Sequence, residues 1–146
     1  MSIVRSAVLA VLAAGLLAAC GGNDRRAQLA YEERPVETLY NLAFEQLQRR
    51  DYQRAAALFD EVERQHPFSE WARRSMLMAA FANYEANRYG EAISDAERFI
   101  ALHPGNDSAP YAYYLIAISH YEQIYDVGRD QSNTRQALNA LQQVVR

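Results

Sequence analysis

The chain has 146 residues, half of them hydrophobic, enough for one packed domain and too apolar for global disorder. Its 15 basic residues are all arginine and face 18 acidic ones, a net charge of -3 that lacks the basic excess of a general nucleic-acid binder. A single cysteine rules out an intrachain disulfide and a cysteine-rich zinc site.

Residues 1–19 read as an export signal. Arg5 is the only charge before Asp24, and the apolar stretch from Ala7 to Ala19 is broken only by Gly15. A membrane span needs about 20 apolar residues, so the stretch is short for one and suits a signal h-region. It ends Leu17-Ala18-Ala19-Cys20, followed by Gly21-Gly22. This resembles a bacterial lipobox, in which a thiolate accepts a diacylglycerol and small residues fit the signal-peptidase site. Cys20 is then the lipidation site; the alternative is a buried or incidental cysteine. Gly21 rather than Asp follows it, which in that sorting pattern implies the outer membrane of a Gram-negative cell, facing the periplasm. More than one acyl chain gives a stable anchor. Residues 20–34 are polar and read as a tether. Arg25-Arg26 there would touch anionic headgroups at about 1 kcal/mol per residue, or simply be solvated.

From residue 35 the sequence repeats. Shifted by 37 residues, Ala43 falls on Ala80, Phe44 on Phe81, Tyr52 on Tyr89, Ala55 on Ala92, and His66-Pro67 on His103-Pro104. A further shift puts Tyr84 on Tyr121 and Glu85 on Glu122. One fixed period marks a solenoid. The order of small, aromatic and proline positions resembles the tetratricopeptide repeat (TPR), whose period is about 34. The expectation is an all-α, TPR-like solenoid of two and a half to three helical hairpins over residues 35–146.

In chain order, Pro35 opens the first helix, as proline is tolerated in a first turn. Arg49-Arg50-Asp51 makes a turn, and a second helix runs from about Tyr52 to Gln65, stopped by Pro67. Ser69 is placed as the N-cap of a third helix reaching about Asn87. The fourth covers about Gly90 to Leu102 and stops at Pro104-Gly105-Asn106. Ser108 is placed as the cap of a fifth helix, with Pro110 in its first turn and its end near Val127. Gly128 to Asn133 reads as an inserted loop, and a sixth helix starts near Thr134.

The second helix of each hairpin carries an apolar stripe at i, i+3, i+4, i+7 spacing. The stripes are Tyr52, Ala55, Ala56, Phe59, Val62; Tyr89, Ala92, Ile93, Ala96, Phe99, Ile100; and Ala137, Leu138, Leu141, Val144, Val145. A solenoid needs a terminal cap with a polar outer face. The sequence stops at Arg146 inside an apolar helix, so residues 35–146 read as C-terminally truncated, or as covered there by a partner.

No catalytic constellation is legible. His66 and His103 precede the repeat prolines, and His120 has no paired carboxylate spacing. No HExxH and no Gly-rich phosphate loop occurs, so neither a metal site, a cofactor nor an enzyme is expected. Arg129-Asp130 would serve as a catalytic pair only against the commoner reading of a solvated turn. A binding surface reads more clearly. The inner face of each first helix runs Glu37, Tyr40, Phe44, Leu47; Arg74, Leu77, Phe81, Tyr84; and Tyr111, Tyr114, Ile118, Tyr121. Tyrosine joins a large apolar area to a polar handle, which suits peptide recognition. Tyr40, Arg74, Leu77, Tyr84, Tyr111, Tyr114 and Tyr121 form the candidate peptide groove. Phe44 and Phe81 are the two assigned to the core.

Several segments together resemble the BamD family of outer-membrane barrel-assembly lipoproteins. They are Leu39-Tyr40-Asn41, His66-Pro67-Phe68-Ser69, the run from Glu97 to Pro104, Tyr111-Ala112-Tyr113-Tyr114-Leu115, and Arg129-Asp130-Gln131-Ser132. The family usually has tyrosine where this chain has His66, and commonly Pro-Tyr where it has Glu70-Trp71, which leaves the local pocket open. The resemblance implies N-terminal repeats that recognise the C-terminal, aromatic-ended segments of unfolded barrel proteins. It implies further repeats that dock on the central barrel protein of the assembly complex, alongside accessory lipoproteins. Arg74 would lie near the substrate carboxylate. A TPR protein of the constriction machinery would carry a coiled coil between Cys20 and Pro35, and none is seen. A scaffold lipoprotein of another envelope complex would lack the Arg-Asp-Gln loop.

Overall fold

The computed structural model describes residues 34–126, 128 and 130–145. The signal segment, Cys20, the tether up to residue 33, and Arg129 lie outside the described residues. Among the described residues six helices and no strand occur: α1 (Val36–Gln48), α2 (Tyr52–Gln65), α3 (Glu70–Glu85), α4 (Tyr89–Leu102), α5 (Ala109–Glu122) and α6 (Ser132–Val144). Each helix packs on the next in sequence. The first helices also touch in succession, α1 on α3 and α3 on α5, whereas the backbones of α2 and α4 stay apart. This is the stacking of TPR-like hairpins, closed on the side of the first helices and open between the second ones.

The period is written into the turns. After α1 the Arg50 amide donates to the Leu47 carbonyl and the Asp51 amide to the Gln46 carbonyl. After α3, Asn87 and Arg88 donate in the same way to Tyr84 and Asn83, each residue 37 positions later. Such a six-to-one closure needs one residue with a left-handed backbone, usually glycine. Here Arg50 (φ 62°) and Asn87 (φ 58°) take it. The other ends repeat too: His66 (φ -132°, ψ 55°) and His103 (φ -135°, ψ 56°) close α2 and α4 in the non-helical geometry that the following proline imposes. His66 has a further contact, its Nε2 lying 2.7 Å from the Arg34 carbonyl, while the Arg34 amide donates to Gln65 Oε1.

Two caps are side chains. Ser69 accepts from the Ala72 amide at 3.0 Å, and Asp51 from the Arg54 amide at 3.3 Å. Ser108 holds the N-cap position of α5, but its side chain makes no capping hydrogen bond. Asn106 takes over the local turn, its Oδ1 accepting from the Ser108 amide at 2.9 Å. Helix α5 also ends at Glu122, short of Val127, because side chains satisfy the exposed carbonyls. Gln123 Nε2 donates to the Ser119 carbonyl and Asn133 Nδ2 to the Gln123 carbonyl. Asp130 Oδ1 accepts from the Ser132 amide, so α6 starts two residues earlier than the sequence reading places it.

The core is built from alanines and a few large side chains. Phe59, Phe99, Leu39, Leu115 and Val62 are the large apolar residues with essentially no exposure, each worth about 1.5–3 kcal/mol on burial. Ala43, Ala55, Ala79, Ala80, Ala92 and Ala96 are fully covered and let the helices approach closely. The stripes of α2 and α4 face inward as their spacing predicts. The stripe of α6 is buried only at Ala137. Leu138 and Leu141 are exposed, while Ala137 and Ala140 are buried, Ala140 within the core cluster. Two small residues are what α6 seats against α5, and the leucines fall on its outer side.

Candidate functional site

The candidate groove residues fall into three groups. Tyr40, on α1, is half-buried. Its ring meets Phe59 edge-on at 5.4 Å and Trp71 at 4.7 Å. Burial pushes its phenol pKa up, opposed by nearby Arg74. Tyr40 thus joins the first hairpin to α3. Leu77 is 8% exposed and belongs to the core with Met76, Ala80 and Phe99, so it walls the surface from beneath.

Tyr84, Tyr111 and Tyr114 gather where α3 meets α5. The rings of Tyr111 and Tyr114 stack with centroids 6.4 Å apart and planes at 27°. Tyr84 packs against Tyr89 at 5.8 Å. Desolvation raises the pKa of Tyr84, helped by the charge of Glu122, and that of Tyr111, helped by Tyr114 and Glu85. Tyr84 and Tyr111 are therefore neutral hydrogen-bond donors at physiological pH. Tyr114 and Tyr121 remain 44% and 66% exposed. Phe44 is 40% exposed and faces solvent rather than the core, because among the described helices only α2 and α3 pack on α1. Phe81 packs partly buried on the core, as its assignment requires.

Arg74 stands at the first turns of α3. Its guanidinium lies over the Trp71 ring, 5.5 Å from the centroid, a cation–π arrangement that holds the head group in place. It lines a cavity of about 140 Å³ with Glu70, Arg73, Leu77, Asn106 and Ser108. Glu70 is committed to Arg73 at 3.2 Å, and Arg74 makes no ion pair among the described residues. A positive group at one end of a tyrosine surface, with Glu85 and Glu122 near the tyrosines, gives the surface a direction.

The family profile described as outer membrane lipoprotein, YfiO, matches residues 32–146. The chain belongs to the YfiO family. Its similarity extends to curated proteins described as outer membrane protein assembly factor BamD. The one from Caulobacter vibrioides is 55% identical over 94% of this chain and 45% of its own length. That from Rickettsia prowazekii is 39% identical over 76% of this chain and 44% of its own. That from Neisseria gonorrhoeae is 37% identical over 74% and 42%. The chain thus spans less than half the length of these relatives.

In this YfiO chain two residues matter that sequence reasoning passed over. Trp71 stood out only as a departure from a pattern, yet it is the platform shared by Tyr40 and Arg74. Its three-residue spacing from Arg74 was the available signal, since i and i+3 share a helix face. Asn83 is the other. It is 4% exposed, and its Nδ2 donates to Asp95 Oδ2 at 2.8 Å. Among the described residues no group of three or more His, Cys, Asp or Glu is placed to hold a metal ion, and no helix is long and apolar enough to cross a membrane.

Proposed function

We propose that the chain acts in the assembly of outer-membrane β-barrel proteins. In this reading it is a periplasm-facing lipoprotein anchored through Cys20, working with a central barrel-assembly protein and accessory lipoproteins. Its tyrosine surface receives the C-terminal, aromatic-ended segment of an unfolded barrel protein. The Tyr111–Tyr114 stack carries the reading: two large phenols held in register and half open to solvent are a ready platform for an aromatic side chain. Arg74, held on Trp71 without an acidic partner, supplies the charge for the terminal carboxylate. The names of the relatives supply the class of substrate.

The test is binding of the full chain, in detergent, to a fluorescent peptide that ends as a barrel protein's last strand ends. A peptide lacking the terminal aromatic and one with an amidated C-terminus are the controls. The proposal expects both controls to bind at least about tenfold more weakly, equivalent to ~1.4 kcal/mol each. Arg74→Glu should abolish the preference for the free carboxylate. Equal binding of all three peptides to a folded chain would remove the assignment.

A further inference from the structure

The side of the molecule formed by the second helices carries a polar site of its own. The backbones of α2 and α4 do not meet, and the cleft between them, about 180 Å³, is floored by α3. Gln53 and Asp60 line it from α2, Asn83 from α3, and Ser94 and Asp95 from α4. Most charges around it are already engaged. Arg98 crosses from α4 to pair with Glu63 of α2 and lies 3.4 Å from Asp95. Arg88 pairs with Glu91 at 3.0 Å. Asp60 is solvent-accessible and makes no ion pair among the described residues. Asn83 is fixed by its bond to Asp95, and its Oδ1 is buried with no hydrogen-bond partner among the described residues.

We infer that this cleft is a docking site for an arginine side chain of a protein partner. Asp60 presents its carboxylate at the cleft, Ser94 adds a hydroxyl and Asn83 an orphaned carbonyl oxygen, while Asp95, its oxygens engaged by Asn83 and Arg98, adds negative charge, so the site offers acceptors. A planar guanidinium with five donors matches such a set better than a point charge does. Among the described residues no group of three or more His, Cys, Asp or Glu is placed to hold a metal ion there. The charge balance agrees. Among the described residues, Asp60, Glu63, Glu91 and Asp95 have Arg88 and Arg98 as their neighbouring cations, leaving the cleft short of positive charge. Desolvation, and then the neighbouring Asp95, raises the pKa of Asp60, with Arg98 opposing, so its ionised form is under-compensated in the free protein. An arriving cation would supply what is missing. The site is independent of the tyrosine surface, which lies on the first helices.

The experiment uses the isotope-labelled full chain in detergent and two probes, N-acetyl-arginine-amide and its neutral isostere N-acetyl-citrulline-amide. NMR follows the Asn83 side-chain amide and the Asp60 carboxyl carbon. The arginine probe should shift both signals saturably and lower the titration midpoint of Asp60, while the citrulline probe leaves them in place. Asp60→Asn, with an unchanged circular dichroism spectrum, should weaken the response about tenfold, the scale of one charge-assisted hydrogen bond. Asp60→Ser serves as a second variant with the same expectation. Tyr114→Ala should respond as the unmodified chain does, so loss of peptide binding on the other face is distinguishable. Equal responses to the two probes, no response to either, or undiminished binding in both Asp60 variants would overturn the inference.

Discussion

Replacing Tyr40 by alanine separates a structural tyrosine from a recognition tyrosine. Truncating a fully buried large aromatic costs about 3–5 kcal/mol, and Tyr40 is only half-buried, so the packing loss is about 2 kcal/mol. Its edge-on contact with Phe59 and its contact with Trp71 add about 0.5–1.5 kcal/mol each. The sum is about 3–5 kcal/mol, and at roughly 4–8 °C per kcal/mol for a domain of this size the midpoint should fall by more than about 10 °C. Tyr121, 66% exposed and with no ring partner among the described residues, should change stability by less than about 0.5 kcal/mol when truncated. Tyr40→Phe keeps both ring contacts and should melt close to the unmodified chain. Thermal unfolding followed by circular dichroism at 222 nm reads all three. Should Tyr40→Ala melt within two or three degrees of Tyr121→Ala (roughly, on the same scale), Tyr40 would not be the inter-hairpin strut described here.

Three further outcomes are expected. Ser69→Ala should cost about 1 kcal/mol in denaturant unfolding because it removes the bond to the Ala72 amide, whereas Ser108→Ala should be nearly silent. Ala92→Leu places a larger side chain at a position with no exposure, and should cost about 1–3 kcal/mol by overpacking; a thermal melt unchanged from the parent would contradict the tight contact of α4 with its neighbours. Asp60 has a folded pKa raised above its ordinary 3.8, so its contribution to stability is fully present below that value and is lost as pH rises through the folded value. Asp60→Asn should therefore unfold at a higher temperature than the parent at neutral pH, the difference closing in acid; a difference that grows as pH falls would reverse the sign.

Much of the fold was legible because its signals are local. A 37-residue shift aligns the helix ends, prolines stop α2 and α4, and alanine spacing marks the buried faces. Where the sequence misleads, a competing local contact prevails. Asn106 rather than Ser108 supplies the side-chain acceptor at the start of α5, and Gln123 with Asn133 closes α5 before Val127. Along α6 the periodicity finds Ala137 but ranks Leu138 and Leu141 above Ala140, while close helix contact favours the alanine. At the candidate site, spacing put Tyr40, Tyr84, Tyr111 and Tyr114 on one helix face each, but it cannot separate a strut from an open platform. That difference rests on what the neighbouring helices bring, Phe59 and Trp71 against Tyr40, and on how little covers Tyr114. The acceptor-rich cleft was invisible because its residues come from different helices and, of its described polar residues, only Asn83 is buried.

Photo-crosslinking from two single sites tests the central claim most directly. Benzoylphenylalanine at Tyr114 stands on the open aromatic platform, and at Gln53 on the exposed side of α2. With an unfolded barrel protein added to the full chain, the account predicts a crosslink from position 114 that maps to the substrate's C-terminal segment and none from position 53. Equal crosslinking from both positions, or a crosslink at 114 that maps elsewhere in the substrate, would contradict it.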